Sequence, residues 1–400
     1  MGWRTPAMIV ACGSLVLMLS LGTRHGFGLF LQPMTFDLGW NRETFAFAIA
    51  LQNLVWGCAQ PFAGMIADKF GAARVVVAGG LFYALGLVLM AYPASGLTFD
   101  LSAGILIGLG LSGTGFGVVM GVVGRAVAPE KRSAALGLVG AAGSFGQFAM
   151  LPYQQGLLGH FGWHVSLLLL ALSAILMVPL SAALAGSNRA ANASEQSLGS
   201  ALREAAAHRG FWFLTFSFLV CGFQTIFIMV HLPAYLVDKG LTPTDGMTTL
   251  ALIGFFNIAG SYASGLLGGR YSKKYLLAWI YGIRAVAITL FVALPISTAT
   301  LWVFGIAMGL TWLGTVPLTN GLVVQIFGMR YAAMLASIVF FGHQIGSFTG
   351  VWLAGYLYDT TGSYAGAFLA SIGLGIFAAL VNLPVNEKPL AERRVAPAAA

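Results

Sequence analysis

The chain has 400 residues, of which 58% are hydrophobic and only 8% are charged, and its formal net charge is +8. Ordinary globular domains carry roughly 25% charged residues, so this composition cannot cover a water-facing surface and excludes a soluble protein. A nucleic-acid-binding protein would need a basic surface on a soluble fold, and the sequence contains no such region.

Apolar segments follow one another along the chain, and each is long enough to cross a bilayer. A spanning helix needs about 20 predominantly apolar residues. The segments are far longer than barrel strands and do not alternate, so helices are predicted. The first segment resembles a signal peptide, but it continues past Arg24 to Pro33 without a cleavage site, so we interpret it as a retained span. The twelve predicted spans are 7–33, 44–67, 74–93, 99–126, 133–157, 163–185, 210–237, 247–268, 275–295, 299–326, 331–357 and 363–384.

Lysine and arginine are distributed unevenly between the two ends of these spans. If the N-terminus is cytoplasmic, 16 of the 20 basic residues fall on the cytoplasmic side and 2, Arg42 and Lys239, fall on the other side. The remaining 2, Arg24 and Arg284, lie well inside spans. Because cytoplasmic loops are enriched in Lys and Arg, we predict that both termini are cytoplasmic.

The chain divides into two similar halves. The one long polar stretch predicts a cytoplasmic linker at 187–208, with a short surface helix near Leu198 to Ala207, between six-helix bundles at 1–186 and 209–386. Residues 387–400 form a predicted cytoplasmic tail. The segment GLGLSGTG at 108–115 lies 201 residues before GLTWLGTV at 309–316, and GMIADKFGAAR at 64–74 lies the same 201 residues before GLLGGRYSKKY. Two matches at one offset indicate a duplication, and parallel six-span halves are an established transporter plan.

A charged loop motif follows the second span on the predicted cytoplasmic side. An acid there can accept hydrogen bonds from a helix N-terminus or pair with a base, and so latch two helices together, while a glycine permits a tight turn. In the second copy Gly269 stands where the acid would be, so any latch there is weaker or different. The motif resembles the loop signature of the major facilitator superfamily, and its latch residues are Gly64, Asp68, Lys69, Gly71 and Arg74.

Within that superfamily the chain resembles the monocarboxylate and oxalate–formate transporter-like branch. The stretches that carry this resemblance are RHGFGLFLQPMTFDLGW, QNLVWGCAQPFAG, CGFQTIFIMVHLPAYLVDKGL and FFGHQIGSFTGVWLAG. The eukaryotic carriers place an Asp and an Arg four residues apart in span 8, where this chain has Asn257 and Ser261. Their span-1 lysine has no clear counterpart here. The resemblance implies a major facilitator fold of two six-helix halves.

Two arginines lie deep in predicted spans. Burying a charge in a membrane costs several kcal/mol unless a partner or a cavity compensates. All 12 acidic residues lie at span ends or in loops, so Arg24 and Arg284 have no obvious counter-ion in the chain. A bound anion would supply the missing charge, and guanidinium groups bind carboxylates bidentately. The structural alternatives are that Arg24 bonds backbone carbonyls and that Arg284 bridges helices of the second half.

Polar residues elsewhere in the spans are candidates for lining a substrate cavity. His231 and His343 could carry a proton or bind substrate, although buried histidines are often only satisfied core residues. His25 should face away from Arg24, because adjacent helical side chains are about 100° apart. The remaining substrate-binding candidates are Gln344, Gln147, Gln224, Asn257, Asn320 and Tyr153.

The predicted function is secondary active transport of a small organic anion, either a mono- or a dicarboxylate, across the cell (inner) membrane by alternating access. Proton-linked movement is favoured by the resemblance; anion/anion exchange of the oxalate–formate type is the alternative. Drug or metabolite efflux is a weaker alternative, because pumps for cationic compounds normally carry embedded acids. A sensor would need a soluble signalling domain, and an enzyme would need a nucleophile or a metal cluster.

No cofactor, metal or nucleotide is predicted. Gly108, Gly110 and Gly113 form a GxGxxG pattern, but they lie in a membrane span, where close helix packing explains them better than dinucleotide binding. The sequence contains no P-loop, so ATP hydrolysis is not expected. Cys12, Cys58 and Cys221 lie in apolar runs without ligand spacing and are interpreted as small core residues. The expected partners are therefore a small carboxylate, H⁺ and the lipid bilayer.

Overall fold

The computed structural model describes residues 4–185, 198–328 and 332–390, which fold into helices joined by short turns. The helices before residue 186 are called here the first helix group. The first of them begins with Thr5 as N-cap and a proline in its first turn, and both residue types are favoured at these positions. Part of the predicted linker, at 186–197, and the tail residues 391–400 lie outside the described residues. The first group consists of α1 (Pro6–His25), α2 (Gly28–Leu38), α3 (Arg42–Phe70), α4 (Ala72–Met90), α5 (Gly96–Phe99), a π-helical turn (Asp100–Leu106), α6 (Ile107–Thr114), α7 (Phe116–Ala126), α8 (Pro129–Ile175), α9 (Met177–Leu180) and a 3₁₀ turn (Ser181–Leu184).

The second helix group follows residue 208, after the short predicted surface helix, which the structure confirms as α10 (Leu198–Ala207). Capping boxes at Thr242 and Ser297 start two of its helices, because each side chain accepts from a backbone N–H three residues on. The second group consists of α11 (Arg209–Asp238), α12 (Pro243–Arg270), α13 (Lys273–Ala293), α14 (Thr298–Thr311), α15 (Thr315–Phe327), α16 (Ala332–Thr361) and α17 (Ala365–Asn382).

Ten helices among the described residues are long and apolar enough to cross a membrane. One of them, Glu130–Leu184, contains 55 residues and turns at Gly162, whose φ of 70° favours glycine. The helix α3 spans 29 residues but is not one of the ten. An all-helical membrane fold is therefore confirmed.

Several predicted spans are interrupted within their length. The first breaks at Gly26 and Phe27, between α1 and α2. The fourth breaks at Gly115, and the tenth breaks between Thr311 and Thr315. Each break frees backbone groups from the helical ladder and leaves them available to side chains inside the bundle.

The two breaks in the repeated segments are tied down by the same kind of contact. In the first group the Ser20 and Thr114 hydroxyls lie 2.7 Å apart, and these residues are separated by 94 positions. In the second group the Cys221 sulfur lies 3.3 Å from the Thr315 hydroxyl, again across 94 positions. The second pair lies 201 residues after the first, so the offset found in the sequence relates equivalent contacts.

Glycines allow close approach of α1 and α8. A Cβ at Gly146 would overlap the backbone of Met18, and one at Gly22 would lie 2.6 Å from the Gly146 oxygen. Close crossings through small residues are a general means of helix association in membranes.

The two helix groups meet along α3 and α16, α8 and α12, and α2 and α11. On α3 this packing runs from Phe47, 6.0 Å from the Phe348 ring, to Trp56, 5.4 Å from the Phe340 ring. Beyond Trp56 the α3 side chains Phe62 and Met65 are 61% and 58% exposed. The groups are therefore in contact along α3 from its N-terminus to about its middle.

A charged cluster joins the groups at the N-terminus of α3, which we call the Arg42 end of the bundle; the opposite end of α3 is called the Asp68 end. The Arg42 guanidinium donates to both carboxylate oxygens of Asp238, each at 2.7 Å, and lies 3.7 Å from the Tyr358 ring centre. The Asp359 carboxylate accepts from the backbone N–H groups of Arg42, at 3.1 Å, and Glu43, at 2.6 Å. Arg42, Glu43, Asp238, Asp359 and Tyr364 are called the Arg42 cluster below.

The glycine crossing can be tested by substitution. Gly146→Ala should lower the free energy of unfolding by about 1–3 kcal/mol, because the added methyl meets backbone rather than a movable side chain. Gly137→Ala on the same helix is the matched control, since nothing lies within 4 Å of its added methyl. Thermal unfolding of the purified protein in detergent measures both. Equal midpoints for the two variants would contradict the packing argument.

Candidate functional site

Arg24 lies in the last turn of α1, immediately before the helix breaks. A cation is favoured there, because the carbonyl groups at a helix C-terminus carry partial negative charge. The break brings Gly28 against the backbone of Met229 and Val230 in α11, where a side chain would not fit. The sequence thus places a guanidinium at the end of a half-helix, between the two helix groups.

The Arg24 side chain is 7% exposed and contacts two residues of α3. It donates a hydrogen bond to Oδ1 of Asn53, and its guanidinium lies 5.1 Å from the centre of the Trp56 ring. The Asn53 amide nitrogen donates to the Ile49 carbonyl oxygen at 2.7 Å. This bond orients the Asn53 amide oxygen toward Arg24. The Arg24 Nε has no hydrogen-bond partner among the described residues.

No ion pair reaches Arg24 within residues 4–185, 198–328 and 332–390. Apart from the partial charge at the α1 C-terminus, its charge is met by one amide oxygen and one aromatic face, and both of these side chains are neutral. Desolvated cations normally require a charged partner or several hydrogen bonds. The guanidinium is consequently undercompensated and keeps an N–H group that could bind an anion.

Aromatic rings connect Arg24 to α16. The Trp56 ring packs on Phe340, which stacks at 5.8 Å on His343. The His343 Nδ1 lies 3.1 Å from Oε1 of Gln344 and 3.3 Å from the Ser347 hydroxyl. His343 and Gln344 therefore lie across the same interface as Arg24, and the amide nitrogen of Gln344 is unpartnered among the described residues.

Asn257 links the two groups at a second place. Its amide nitrogen lies 3.2 Å from both the Ser144 hydroxyl and Oε1 of Gln147 in α8. Its oxygen accepts from the Leu313 N–H, at 3.1 Å, in the break between α14 and α15. Asn257 and Gln147 are thus joined directly, and they hold the broken segment in place.

His25 points away from Arg24, as expected for adjacent helical residues. Its ring lies 6.1 Å from that of Trp312, in an edge-on arrangement. Trp312 belongs to the broken segment after α14. The two neighbouring side chains therefore contact opposite helix groups.

Arg284 has different surroundings. It is fully buried in α13, donates to the carbonyl oxygens of Thr311 and Trp312, and lies 3.3 Å from the Cys221 sulfur. These carbonyls are the ones that the break after α14 releases from the helical ladder. In the first group Tyr83, 201 residues earlier in the sequence, donates to the Ser20 carbonyl at 2.9 Å. Arg284 therefore ties a break to α13, whereas Tyr83 ties α4 to a carbonyl inside α1.

Three other predicted cavity residues lie away from Arg24. Gln224 is buried and donates to the Ser371 carbonyl, at 2.9 Å, between α11 and α17. Tyr153 is 41% exposed and lies 3.1 Å from the Ser173 hydroxyl. Asn320 is exposed on α15. Their role in substrate binding stays a prediction, and the structure does not bring them together with Arg24.

The latch motif lies at the Asp68 end of α3. The Asp68 carboxylate accepts from Arg125 of α7 at 3.1 Å, and both side chains are largely exposed. Gly71 has a φ of 99°, which favours glycine in this turn. Lys69 and Arg74 are exposed. A methyl group added at Gly64 would have no neighbouring atom within 4 Å. The ion pair joins two helices of one group, and its role as a latch remains a prediction.

Sequence reasoning missed Asn53, Trp56 and Phe340. Asn53 and Trp56 are three residues apart in a span, and residues at that spacing lie on the same helix face. The three-residue spacing therefore indicates that Asn53 and Trp56 share a helix face, although it does not indicate that this face meets Arg24.

Comparisons with known proteins identify relatives along the whole chain. A family model described as Major Facilitator Superfamily matches residues 10–348. Monocarboxylate transporter 13 of Rattus norvegicus is 26% identical over 392 residues, which cover 96% of this chain and 89% of that protein. The uncharacterized MFS-type transporter YcxA of Bacillus subtilis (strain 168) is 25% identical, with 85% of each chain covered.

Solved structures share the fold. A bacterial homolog of the human lysosomal transporter Spinster, in an inward-facing and occupied conformation, superposes with a TM-score of 0.78. The match covers 98% of this chain and 99% of that chain, at 14% sequence identity. At this identity the likeness concerns the fold alone.

The surroundings of Arg284 predict a structural role that can be measured. Arg284→Gln should lower the free energy of unfolding by at least about 2 kcal/mol, because two buried carbonyls lose their charged donor. Thermal unfolding in detergent tests this, with the exposed Arg132→Gln as control. A variant of unchanged stability that no longer binds anions would instead support the substrate-binding role predicted from the sequence.

Proposed function

Because the chain belongs to the Major Facilitator Superfamily and is a multi-pass membrane transporter, we propose that it carries a small monocarboxylate anion across the cell membrane by alternating access. The observation that carries this proposal is the buried Arg24 guanidinium with no acidic partner among the described residues. A substrate carboxylate would supply the charge that the Asn53 amide and the Trp56 ring do not.

The number of available cations favours a monocarboxylate over a dicarboxylate. The Nε of each arginine is unpartnered among the described residues, but Arg284 donates to two backbone carbonyls and to Cys221, whereas Arg24 donates to the Asn53 amide oxygen. A second carboxylate in the same site would be desolvated without a matching charge, which is costly. Several of the relatives are named monocarboxylate transporters, which agrees with this argument.

The aromatic residues beside Arg24 suit the remainder of such a substrate. Trp56 and Phe340 form an apolar contact next to the guanidinium, and His343 with Gln344 adds polar groups on the α16 side. Small-molecule sites are generally apolar with a few placed polar groups. We propose that Arg24, Asn53, His343 and Gln344 orient the anion, while Asn257 and Gln147 stabilise the interface beside it.

We propose twelve spans with both termini in the cytoplasm. Support comes from the ten membrane-compatible helices, the additional 29-residue α3, and the turn at Gly162 inside the longest segment. Under this topology the Arg42 end faces the cell exterior. The bias of basic residues toward the opposite side supports the orientation.

We propose that the structure represents an inward-facing form. The Arg42 cluster joins the helix groups at the exterior end, while α3 side chains beyond Trp56 are exposed toward the Asp68 end. Alternating access would require the Arg42 cluster to separate so that the two groups can rock about Arg24. We propose that transport is linked to proton movement. Because the predicted spans carry no acidic residue at mid-depth, the proton would be carried by a histidine or by the substrate.

Arg24 provides the direct test. In liposomes containing the purified protein, Arg24→Gln should raise the half-saturating concentration for labelled lactate or pyruvate by roughly 10- to 100-fold, the value of a lost charge-assisted hydrogen bond. Arg24→Lys should recover only part of the loss, since an ammonium cannot bind a carboxylate through a planar fork. Arg270→Gln, an exposed arginine, is the control. Transport by Arg24→Gln at the wild-type rate would overturn the site.

Substrate class is tested by competition in the same liposomes. Formate, lactate and pyruvate should inhibit labelled uptake at least about tenfold more strongly than oxalate or malonate, because a second carboxylate lacks a partner. An inward proton gradient should drive accumulation without any anion inside the vesicles. Uptake that instead requires a trapped internal anion would identify an exchanger, and stronger inhibition by dicarboxylates would contradict the single-cation site.

A further inference from the structure

A buried histidine connects the Arg42 cluster to the core of the second helix group. His231 lies in α11 and is 1% exposed. Its Nε2 lies 2.9 Å from the Val351 carbonyl oxygen of α16, and its Nδ1 lies 3.0 Å from the Tyr364 hydroxyl. That hydroxyl in turn lies 2.9 Å from an Arg42 nitrogen.

The donor and acceptor of each of these three hydrogen bonds can be assigned for a neutral imidazole. A carbonyl oxygen can only accept, so Nε2 of His231 donates to Val351. A neutral imidazole then has Nδ1 as an acceptor, and the Tyr364 O–H must donate to it. A guanidinium can only donate, so the Tyr364 oxygen accepts from Arg42. With a neutral ring, the bonds therefore run from Arg42 through Tyr364 and His231 to Val351.

A proton on Nδ1 is incompatible with this arrangement. The imidazolium would have donors on both nitrogens, so the Tyr364 O–H could no longer donate to it. The Tyr364 oxygen would then face two cations, the imidazolium and Arg42, in a buried site where a second positive charge is costly.

The surrounding charges offer no compensation. Both Asp238 oxygens are bonded to Arg42, and both Asp359 oxygens accept backbone N–H groups of α3. The Glu43 carboxylate accepts from the Trp352 indole at 2.9 Å. The titratable and charged groups around His231, from all the elements packed at this end, are Arg42 and Glu43 of α3, Tyr235 and Asp238 of α11, Tyr358 and Asp359 of α16, and Tyr364 before α17.

We propose that His231 is a proton-binding site that opens the Arg42 end of the bundle. A proton taken from the adjoining solution by Nδ1 removes the acceptor of the Tyr364 O–H, leaves the Tyr364 oxygen between two cationic donors, and so loosens Tyr364 from Arg42. Separation of α3 from α11 and α16 then exposes the imidazolium to water, which stabilises its charge. This inference rests on the proposed alternating access: acid on the Arg42 side favours the form that opens to that side.

The test follows hydrogen–deuterium exchange of the full-length protein in lipid nanodiscs, without substrate. The backbone N–H groups of Arg42 and Glu43 are bonded to Asp359 only while the cluster is closed. After correction for the pH dependence of chemical exchange, the opening equilibrium at this peptide should rise by up to about tenfold per pH unit of acidification as one proton is taken up.

Substituted proteins assign the response to one ring. His231→Gln cannot take up a proton but can still donate to Val351 and accept from Tyr364, so its exchange should not depend on pH between neutral and mildly acidic conditions. His160→Gln, an exposed histidine near the Gly162 turn, is the matched control and should respond like wild type. Tyr364→Phe keeps His231 but removes the hydroxyl that links it to Arg42, and it should also lose the response.

Two results would overturn the proposal. One is a wild-type protein whose α3 N-terminus shows no acid-dependent opening. The other is a His231→Gln or Tyr364→Phe protein that opens as wild type does, which would assign the response to the carboxylates. Because no substrate is present, failure of anion uptake in liposomes would overturn the proposed function alone, whereas a flat exchange profile would overturn the proton site alone.

Discussion

The compensation of buried positive charge is the constraint on which this bundle depends. Two guanidinium groups lie among apolar helices, and the structure treats them differently. Arg284 is bonded to the carbonyls of Thr311 and Trp312, so backbone dipoles meet its charge. Among the described side chains, Arg24 meets the amide oxygen of Asn53 and the face of Trp56, both neutral. Arg284 is therefore stabilised within the protein. The charge of Arg24 is less well compensated and would be stabilised by a bound anion, which is the physical basis of the proposed transport function.

Helix breaks make both arrangements possible. An uninterrupted helix satisfies its own carbonyls and offers nothing to a buried side chain, whereas a break leaves groups free at a helix end. The break after α1 places Arg24 at a helix C-terminus, and the break after α14 supplies the acceptors of Arg284. The paired contacts Ser20–Thr114 and Cys221–Thr315 show that the two helix groups anchor these breaks equivalently. The groups differ at the position that Tyr83 and Arg284 share: the Tyr83 hydroxyl donates to a carbonyl inside α1, whereas Arg284 donates to the carbonyls of the break.

Polar contacts between the helix groups are concentrated at the centre and at one end. At the centre, Asn257 joins α12 to Gln147 of α8 through neutral groups. At the Arg42 end, a bidentate ion pair and a carboxylate that caps α3 provide stronger, charge-assisted contacts. Such contacts are sensitive to solvation and protonation in a way that apolar packing is not. A bundle held in this way can separate at one end while its centre keeps its contacts, which alternating access requires.

The sequence by itself determined the membrane class, the helices and the 201-residue repeat. Each of these depends on the length of apolar segments or on the order of residues along the chain, and neither requires knowledge of which segments pack together. It also identified Arg24 and Arg284 as unusual, since charge in an apolar span needs compensation wherever it lies. Tertiary structure decided which of the two is compensated internally, because the carbonyls near Arg284 come from a helix break about 27 residues further along the chain. It likewise decided that Asn53 and Trp56 meet Arg24, that Asn320 and Tyr153 lie apart from it, and that Arg42 joins residues more than 190 positions away. These are pairings between distant segments, and no local pattern in one sequence specifies them.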